Sequence, residues 1–241
     1  MEGARTTEER VALMQQAIDD QRDMLRRNID KPLEEIPQVL CTYEEVLDAY
    51  KNGLVVPDDV TMLWSDDKHG YTRNLSNPEE MKCPGGAGIY YHLSYHGDPA
   101  SWIWLSPLSP AFISTELTKA YTYGARKIWV FNVGDIKPAE KELTFAMELA
   151  WAIDRWSPEK ACGFIAEWAG RTFGTAYARE IAGIMPMPVP ATGSRRWPML
   201  PVRRRCMRTS MPGPAGTTRR CWTGSGRSSS TGSPITGSVP R

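Results

Sequence analysis

The chain has 241 residues and a formal net charge of +1, so its length suits one or two domains and its overall charge indicates no particular partner. The charge is unevenly distributed, because all 28 Asp and Glu residues lie in residues 1–180, whereas residues 181–241 contain ten Arg and no Lys. No apolar run reaches membrane length and no signal peptide is recognisable, so no membrane partner is predicted.

The C-terminal segment, residues 186–241, differs in composition from the rest of the chain. It is rich in Pro, Gly, Ser, Thr and Arg and has no helix or strand pattern, which predicts a disordered basic tail after a folded domain at residues 1–185. Basic tails of this kind can bind nucleic acid, and that alternative stays open. We interpret the tail instead as the product of a shifted reading frame, because Arg, Pro and Gly codons are GC-rich and Lys codons are not. We therefore predict no nucleic-acid partner.

The folded part contains alternating helix and strand patterns. Thr6 and Glu9 form a capping box that predicts a helix to about residue 28. Thr42 and Glu45 predict a second capping box, before a helix that Gly53 ends. Further helices are predicted from Ser109-Pro110 to Gly124, from Pro138 to about Trp156 and from Ser157-Pro158 past Trp168, and apolar runs predict strands at 37–41, 60–64, 87–93 and 127–131.

The predicted strands are almost continuously apolar and are joined by helices or long crossovers. Strands of this kind lie in parallel sheets whose two faces are covered, so we predict an α/β fold, either an open doubly wound sheet or part of a (β/α)8 barrel. The glycine-rich segment GGAGIYY precedes its strand and opens no helix. It therefore does not favour a dinucleotide site, and no cofactor is predicted.

Polar side chains follow the ends of all four predicted strands. Ligands bind at the carboxyl ends of the strands in parallel α/β folds and barrels, so these side chains predict a polar pocket. Carboxylates beside aromatic residues favour sugar chemistry. The tryptophans nearby, Trp64, Trp102, Trp104 and Trp129, are nevertheless more often core residues than stacking platforms for a sugar. The polar groups are Tyr43 and Glu45, then Asp66 to His69, then Ser94 to His96, and finally Asn132 and Asp135.

A metal site is an alternative use of the three histidines, His69, His92 and His96, which fall within 28 residues. His92 and His96 would share a face on a helix, but this segment has the pattern of a strand and a loop, so no metal is predicted. The five cysteines are odd in number and not closely paired, which argues against a disulfide framework.

Four long blocks of the sequence are IPQVLCTYEEVLDAYKNGL, VPDDVTMLWSDDKHGYTRNL, GGAGIYYHLSYHGDP and LSPLSPAFISTELTKAYTYGARKIWVFNVGDIKPAE. Together, and in this order, they resemble glycoside hydrolase family 115. The resemblance covers residues 4–185 and implies a partial (β/α)8 TIM-type barrel with the later strands only, because family members are much longer chains.

The resemblance implies a glycosidase, a xylan α-1,2-glucuronidase that removes glucuronic acid or its 4-O-methyl ether from glucuronoxylan. The expected partner is thus glucuronoxylan or a xylo-oligosaccharide. The family acts with inversion, which needs a general acid and a general base about 6.5–9.5 Å apart. The resemblance also implies a secreted or periplasmic parent protein, and a homodimeric parent stays open.

The resemblance assigns Glu45 as the general acid and Tyr43 as a substrate-binding residue. As the partner of Thr42 in a capping box, Glu45 would be poorly placed to donate a proton, so these two roles compete.

The remaining matches are substrate-binding residues. Asp66 matches a sugar-binding aspartate, Tyr95 a pocket tyrosine and Lys31 a lysine near the uronic carboxylate. Lys68 stands where the family usually has Asn, and a cation at that position favours a uronate.

The family's general base belongs to an Arg-Gly-x-x-Asp motif that does not occur in this sequence. Loss of one member of an acid–base pair lowers the rate by orders of magnitude, so we expect the chain to be an inactive fragment. The alternative is a non-catalytic remnant that binds carbohydrate or a partner.

Overall fold

The computed structural model describes residues 6–98, 100–104 and 107–185. The strands are β1 Val39–Thr42, β2 Thr61–Ser65, β3 Ala87–His92 and β4 Ala125–Asn132. The helices are α1 Thr7–Asn28, α2 Glu45–Lys51, α3 Pro110–Thr122, α4 Glu140–Trp151, α5 Phe164–Phe173 and α6 Ala178–Ile184. Short 3₁₀ turns lie at Leu33–Glu35, Glu80–Lys82 and Ala161–Gly163.

The strands form one four-stranded sheet in the order β1-β2-β3-β4, and each strand is parallel to the next. Cys41 of β1 pairs with Leu63 of β2, and Trp64 of β2 pairs with Ile89 of β3. A sequential parallel sheet whose strands alternate with helices is the arrangement of a partial (β/α)8 barrel, so the predicted fold class is confirmed. Because all strands point the same way, their carboxyl ends lie at one edge.

The residues of β3 separate the core from the opposite face of the sheet. Ile89 and Tyr91 are fully buried in the main hydrophobic core, as is Leu93 directly after the strand. Tyr90 and His92 alternate with them and therefore face the other side. The helices contribute further fully buried members of this core, which are Ile113, Leu117, Phe145, Leu149 and Phe164.

Two helix starts are built as predicted. The Thr6 side chain accepts from the Glu9 N–H at 3.2 Å, and the Glu9 carboxylate accepts from the Thr6 N–H at 3.2 Å, which completes the capping box of α1. Ser109 caps α3 by accepting from the Phe112 N–H at 3.2 Å, with Pro110 at the first helical position.

The second capping box, at Thr42 and Glu45, was a wrong prediction. Thr42 is the last residue of β1, and its hydroxyl donates to the Leu63 carbonyl at 3.1 Å. The N-cap of α2 is Glu44, which makes no side-chain cap. The Thr42 side chain is thus used in a hydrogen bond to the neighbouring strand and does not cap α2. Capping therefore does not compete with a chemical role for Glu45.

The C-terminal helices also depart from the prediction. α4 ends at Trp151, and the chain turns at Ser157, whose carbonyl accepts from the N–H groups of Lys160 and Ala161 at 2.9 Å. α5 begins only at Phe164, after a 3₁₀ turn, so the predicted start at Ser157-Pro158 is wrong. The short helix α6 was not predicted.

Among the helices described, none is both long and apolar enough to cross a bilayer. The predicted disordered tail, residues 186–241, lies outside the described residues, and the domain boundary at residue 185 stays a prediction.

Candidate active site

A cavity of about 550 Å³ lies at the carboxyl edge of the sheet. Its wall is formed by residues in or just after β1, β3 and β4, so the polar strand ends come together as the parallel topology requires. The lining residues are Cys41, Tyr43, Glu44, Tyr90, His92, Ser94, Tyr95, His96, Ile103, Asn132 and Gly134.

The buried carboxylate of Asp66, directly after β2, connects two parts of this edge. Its Oδ1 accepts from the backbone N–H of His92 at 2.9 Å and lies 2.7 Å from the His92 ring nitrogen Nδ1. Its Oδ2 accepts from the Gly70 N–H at 2.9 Å. A buried carboxylate requires such partners, and these three fix both the His92 ring and the loop after β2.

The His92 ring is enclosed by tyrosines. Ring centroids lie 5.9 Å away for Tyr43, 5.2 Å for Tyr90 and 5.3 Å for Tyr95. Tyr90 is itself held by the side-chain amide of Asn132, which donates to its hydroxyl at 2.8 Å. With Nδ1 engaged by Asp66, Nε2 is the ring nitrogen that His92 can offer to a ligand.

Four residues at the edge of the cavity form what we call the rim cluster: Tyr43, Glu44, Lys68 and Tyr95. The Lys68 ammonium is ion-paired with the Glu44 carboxylate and lies 5.8 Å and 5.4 Å from the ring centroids of Tyr43 and Tyr95. The Trp102 indole N–H donates to the Lys68 carbonyl at 3.1 Å. The cation is thus positioned from both its backbone and its side chain.

The contacts within the rim cluster set its charges. The hydrogen bond with Glu44 raises the pKa of Lys68, and the same contact lowers the pKa of the Glu44 carboxyl. Burial, followed by the hydrogen bond with Tyr95, raises the pKa of Tyr43. At neutral pH the rim therefore carries a cation, an anion and a neutral tyrosine hydroxyl.

The backbone is strained at both partners of the ion pair. Glu44 has φ 46° and Lys68 has φ 71°, and within the described residues they are the two non-glycine residues in this region. Such conformations cost roughly 1–3 kcal/mol each, whereas an exposed ion pair contributes at most about 1 kcal/mol. The ion pair therefore stabilises the fold by less than the backbone strain costs, so stability alone does not explain this geometry.

The structure brings only part of the predicted residue set to the cavity. Tyr43 and Tyr95 line it, Lys68 contacts both of them, and Asp66 lies behind His92 with both oxygens engaged. Glu45 is exposed as the first residue of α2, and Lys31 is exposed before the first 3₁₀ turn; neither lines the cavity. The roles assigned to these six residues stay predictions.

Glu44, Tyr90 and His92 line the cavity but were not among the predicted site residues. The strand period offered a signal for His92, because Tyr90 and His92 share the face of β3 that the core residues leave free. No sequence signal favours Glu44 over Glu45, since a positive φ at Glu44 determines which carboxylate reaches the cavity.

In the described part of the chain, no group of three or more His, Cys, Asp and Glu side chains is arranged to hold a metal. Of the three histidines considered for a metal, His92 is buried against Asp66, whereas His69 and His96 are exposed.

A polar, aromatic-walled cavity at the carboxyl edge of a parallel barrel sheet is the arrangement of an α/β-barrel enzyme. The family model of glycosyl hydrolase family 115 matches residues 2–197, and the chain belongs to this family, as its motifs predicted. The match extends beyond residue 185.

One similar solved structure is described as a novel family GH115 4-O-methyl-α-glucuronidase, BtGH115A, with specificity for decorated arabinogalactans. It is 43% identical to this chain with a TM-score of 0.73, and the match covers 76% of this chain and 24% of that chain. This chain therefore spans about a quarter of that protein. No match was found among curated proteins.

We predict that Gly70→Ala destabilises the site loop far more than Gly53→Ala destabilises the end of α2. Both glycines have positive φ, at +86° and +104°, so both alanines strain the backbone by about 1–2 kcal/mol. A Cβ at Gly70 would also lie 2.8 Å from the Phe112 ring and 2.9 Å from the Tyr91 hydroxyl, whereas nothing lies within 4 Å of one at Gly53.

Urea unfolding should therefore give a free energy of unfolding lower by about 1–3 kcal/mol for Gly70→Ala than for Gly53→Ala, because the overpacking adds to the strain. Equal losses in the two variants would contradict the close packing described for the loop after β2.

Proposed function

We propose that this chain is part of an α-glucuronidase that removes α-1,2-linked glucuronic acid, or its 4-O-methyl ether, from glucuronoxylan with inversion. Membership of family 115 carries the proposal, and the cavity supports it. The wall offers hydroxyl, imidazole and amide groups for sugar hydroxyls, and the rim cluster adds a cation for a carboxylate.

Within this proposal Glu45 is the general acid. The neighbouring Glu44 lines the cavity, but Lys68 lowers the pKa of its carboxyl and keeps it ionised at neutral pH. An ionised carboxylate has no proton to give to the leaving oxygen, so Glu44 in this arrangement is unsuited to the acid role. Glu45 is exposed on the adjacent position and is free of the capping contact once expected with Thr42.

The remaining predicted residues, together with His92, act in substrate binding. His92, oriented by Asp66, offers Nε2 to a sugar hydroxyl, and Asp66 acts through it as a positioning residue. Tyr43 and Tyr95 provide hydroxyl groups and ring faces, and Lys68 attracts the uronate. Lys31 is kept as a candidate for the uronic carboxylate on the family resemblance alone.

Inversion requires a second carboxylate across the sugar ring, about 6.5–9.5 Å from the acid. Glu44 is the one carboxylate among the described residues that line the cavity, and it is held by Lys68. We therefore propose that this chain by itself binds the uronic sugar but does not hydrolyse its linkage.

A second candidate substrate is glucuronic acid carried by an arabinogalactan. The similar solved enzyme is described as specific for decorated arabinogalactans, and it is 43% identical to this chain. Parallel binding measurements with uronic oligosaccharides from the two polysaccharides separate these candidates.

We expect the 241-residue chain to bind 4-O-methylglucuronate in preference to glucose. Chemical-shift titration of the tryptophan side chains tests this, because the Trp102 indole donates to Lys68 and should respond. Trp151 serves as the internal control, since it is 93% exposed on α4 and does not line the cavity. Equal affinity for the two sugars, or no response at Trp102, would refute the proposed function.

We also expect no release of methylglucuronic acid when the purified chain is incubated with glucuronoxylan, because the one carboxylate among the described lining residues, Glu44, is paired with Lys68. Chromatographic detection of the released sugar provides the measurement, with Glu44→Gln and Glu45→Gln as matched variants. Release that persists in Glu44→Gln but disappears in Glu45→Gln would show that the chain is active and would identify its acid.

A further inference from the structure

The rim cluster contains a charge pair whose geometry is not explained by stability. Glu44 and Lys68 are both strained, both partly exposed and paired with each other, with side chains 42% and 26% exposed. Strain of this kind persists where the fold requires a particular placement, and it concentrates at ligand clamps and switch regions.

The placement of Lys68 is fixed from several directions. The Trp102 indole holds its carbonyl at 3.1 Å, and Tyr95, whose ring faces the ammonium, pairs with Trp102 through backbone N···O contacts of 2.7 and 3.3 Å. Two carboxylate contacts anchor the loop on either side, where Asp66 accepts from the Gly70 N–H and Asp67 accepts from the Tyr71 N–H. The ammonium is therefore presented by a preorganised loop.

The partner of this ammonium is held less firmly. Glu44 lies on the cavity wall and is the more exposed member of the pair. Besides a hydrogen bond with Tyr43, it is held by a surface ion pair, an interaction that is weak and readily screened. A ligand carboxylate could replace it on Lys68 without leaving the cation unpaired, and the released Glu44 side chain would be solvated.

We propose that the Glu44–Lys68 pair is an exchangeable latch, in which the carboxylate of a uronic acid ligand displaces Glu44 from Lys68. Glu44 is then the resident occupant of an anion site on the rim, and Lys68 is a specificity-determining residue. A neutral hexose has no group to replace Glu44, so the latch discriminates against neutral sugars as well as attracting uronates. This inference rests on the proposed function and names how its substrate is selected.

Removal of the Glu44 carboxylate from the cavity wall should strengthen anion binding at Lys68. In Glu44→Gln the competitor loses its charge, and we expect glucuronate to bind about 2- to 5-fold more tightly, the range that corresponds to an exposed ion pair. In Lys68→Asn the cation is lost, and we expect the preference for glucuronate over glucose to disappear. Asn tolerates a positive φ, so this substitution retains the backbone conformation.

The affinities of glucuronate and glucose are measured by calorimetry for the 241-residue chain and both variants. Lys137→Met and Glu140→Gln are the matched controls, because they disrupt an exposed lysine–glutamate pair on α4 and its approach, outside the cavity lining. Unchanged or weaker glucuronate binding in Glu44→Gln would overturn the latch, and so would a glucuronate preference that survives in Lys68→Asn.

A second measurement needs no variant. If glucuronate displaces Glu44, carboxyl-carbon NMR should show the pKa of Glu44 rising toward its ordinary value on addition of glucuronate but not of glucose. Preferential glucuronate binding that leaves this pKa unchanged would overturn the latch while the proposed function stands. Failure of the unmodified chain to prefer glucuronate would overturn both.

Discussion

The buried carboxylate of Asp66 is the interaction on which the rest of the site depends. It follows β2, accepts hydrogen bonds from the backbone N–H groups of Gly70 and His92, and contacts the His92 ring. A charged group without partners in this position would be strongly unfavourable, so the loop and the ring must adopt the positions that supply them. One side chain thereby joins the end of β3 to the loop that carries Lys68.

A second constraint acts on the rim cluster and concerns the placement of its two charged side chains. The free-energy cost of the backbone strain at Glu44 and Lys68 exceeds the stabilisation from their exposed ion pair. Burial does not explain the strain either, because both side chains are accessible to solvent. Both residues lie within three positions of a strand end, where the chain turns to enter α2 or the loop after β2. The sheet fixes where the turns occur, and the turns determine which charges meet at the cavity.

Much of the fold could be predicted from local signals. The apolar runs gave the four strands to within a few residues, and the capping residues Thr6 and Ser109 marked two helix starts because each bonds within its own segment. These local signals failed where the hydrogen-bond partner of a side chain is distant in the sequence. Thr42 looked like a cap but donates across the sheet to Leu63, and the pairing of Asp66 with His92 spans 26 positions. Glu44 lines the cavity and Glu45 does not because of a backbone turn at Glu44, which the residue types do not indicate.

The site depends on Asp66 to orient the His92 ring, and the tautomer of His92 reports on that orientation. A carboxylate at Nδ1 requires the proton on that nitrogen and leaves Nε2 as the acceptor when the ring is neutral. Nitrogen-15 NMR of the histidine rings at neutral pH should therefore find the neutral His92 ring protonated at Nδ1, and Asp66→Ala, which removes the acceptor, should abolish that preference. A His92 ring protonated at Nε2 alone, or one that Asp66→Ala leaves unchanged, would show that Asp66 does not orient the ring.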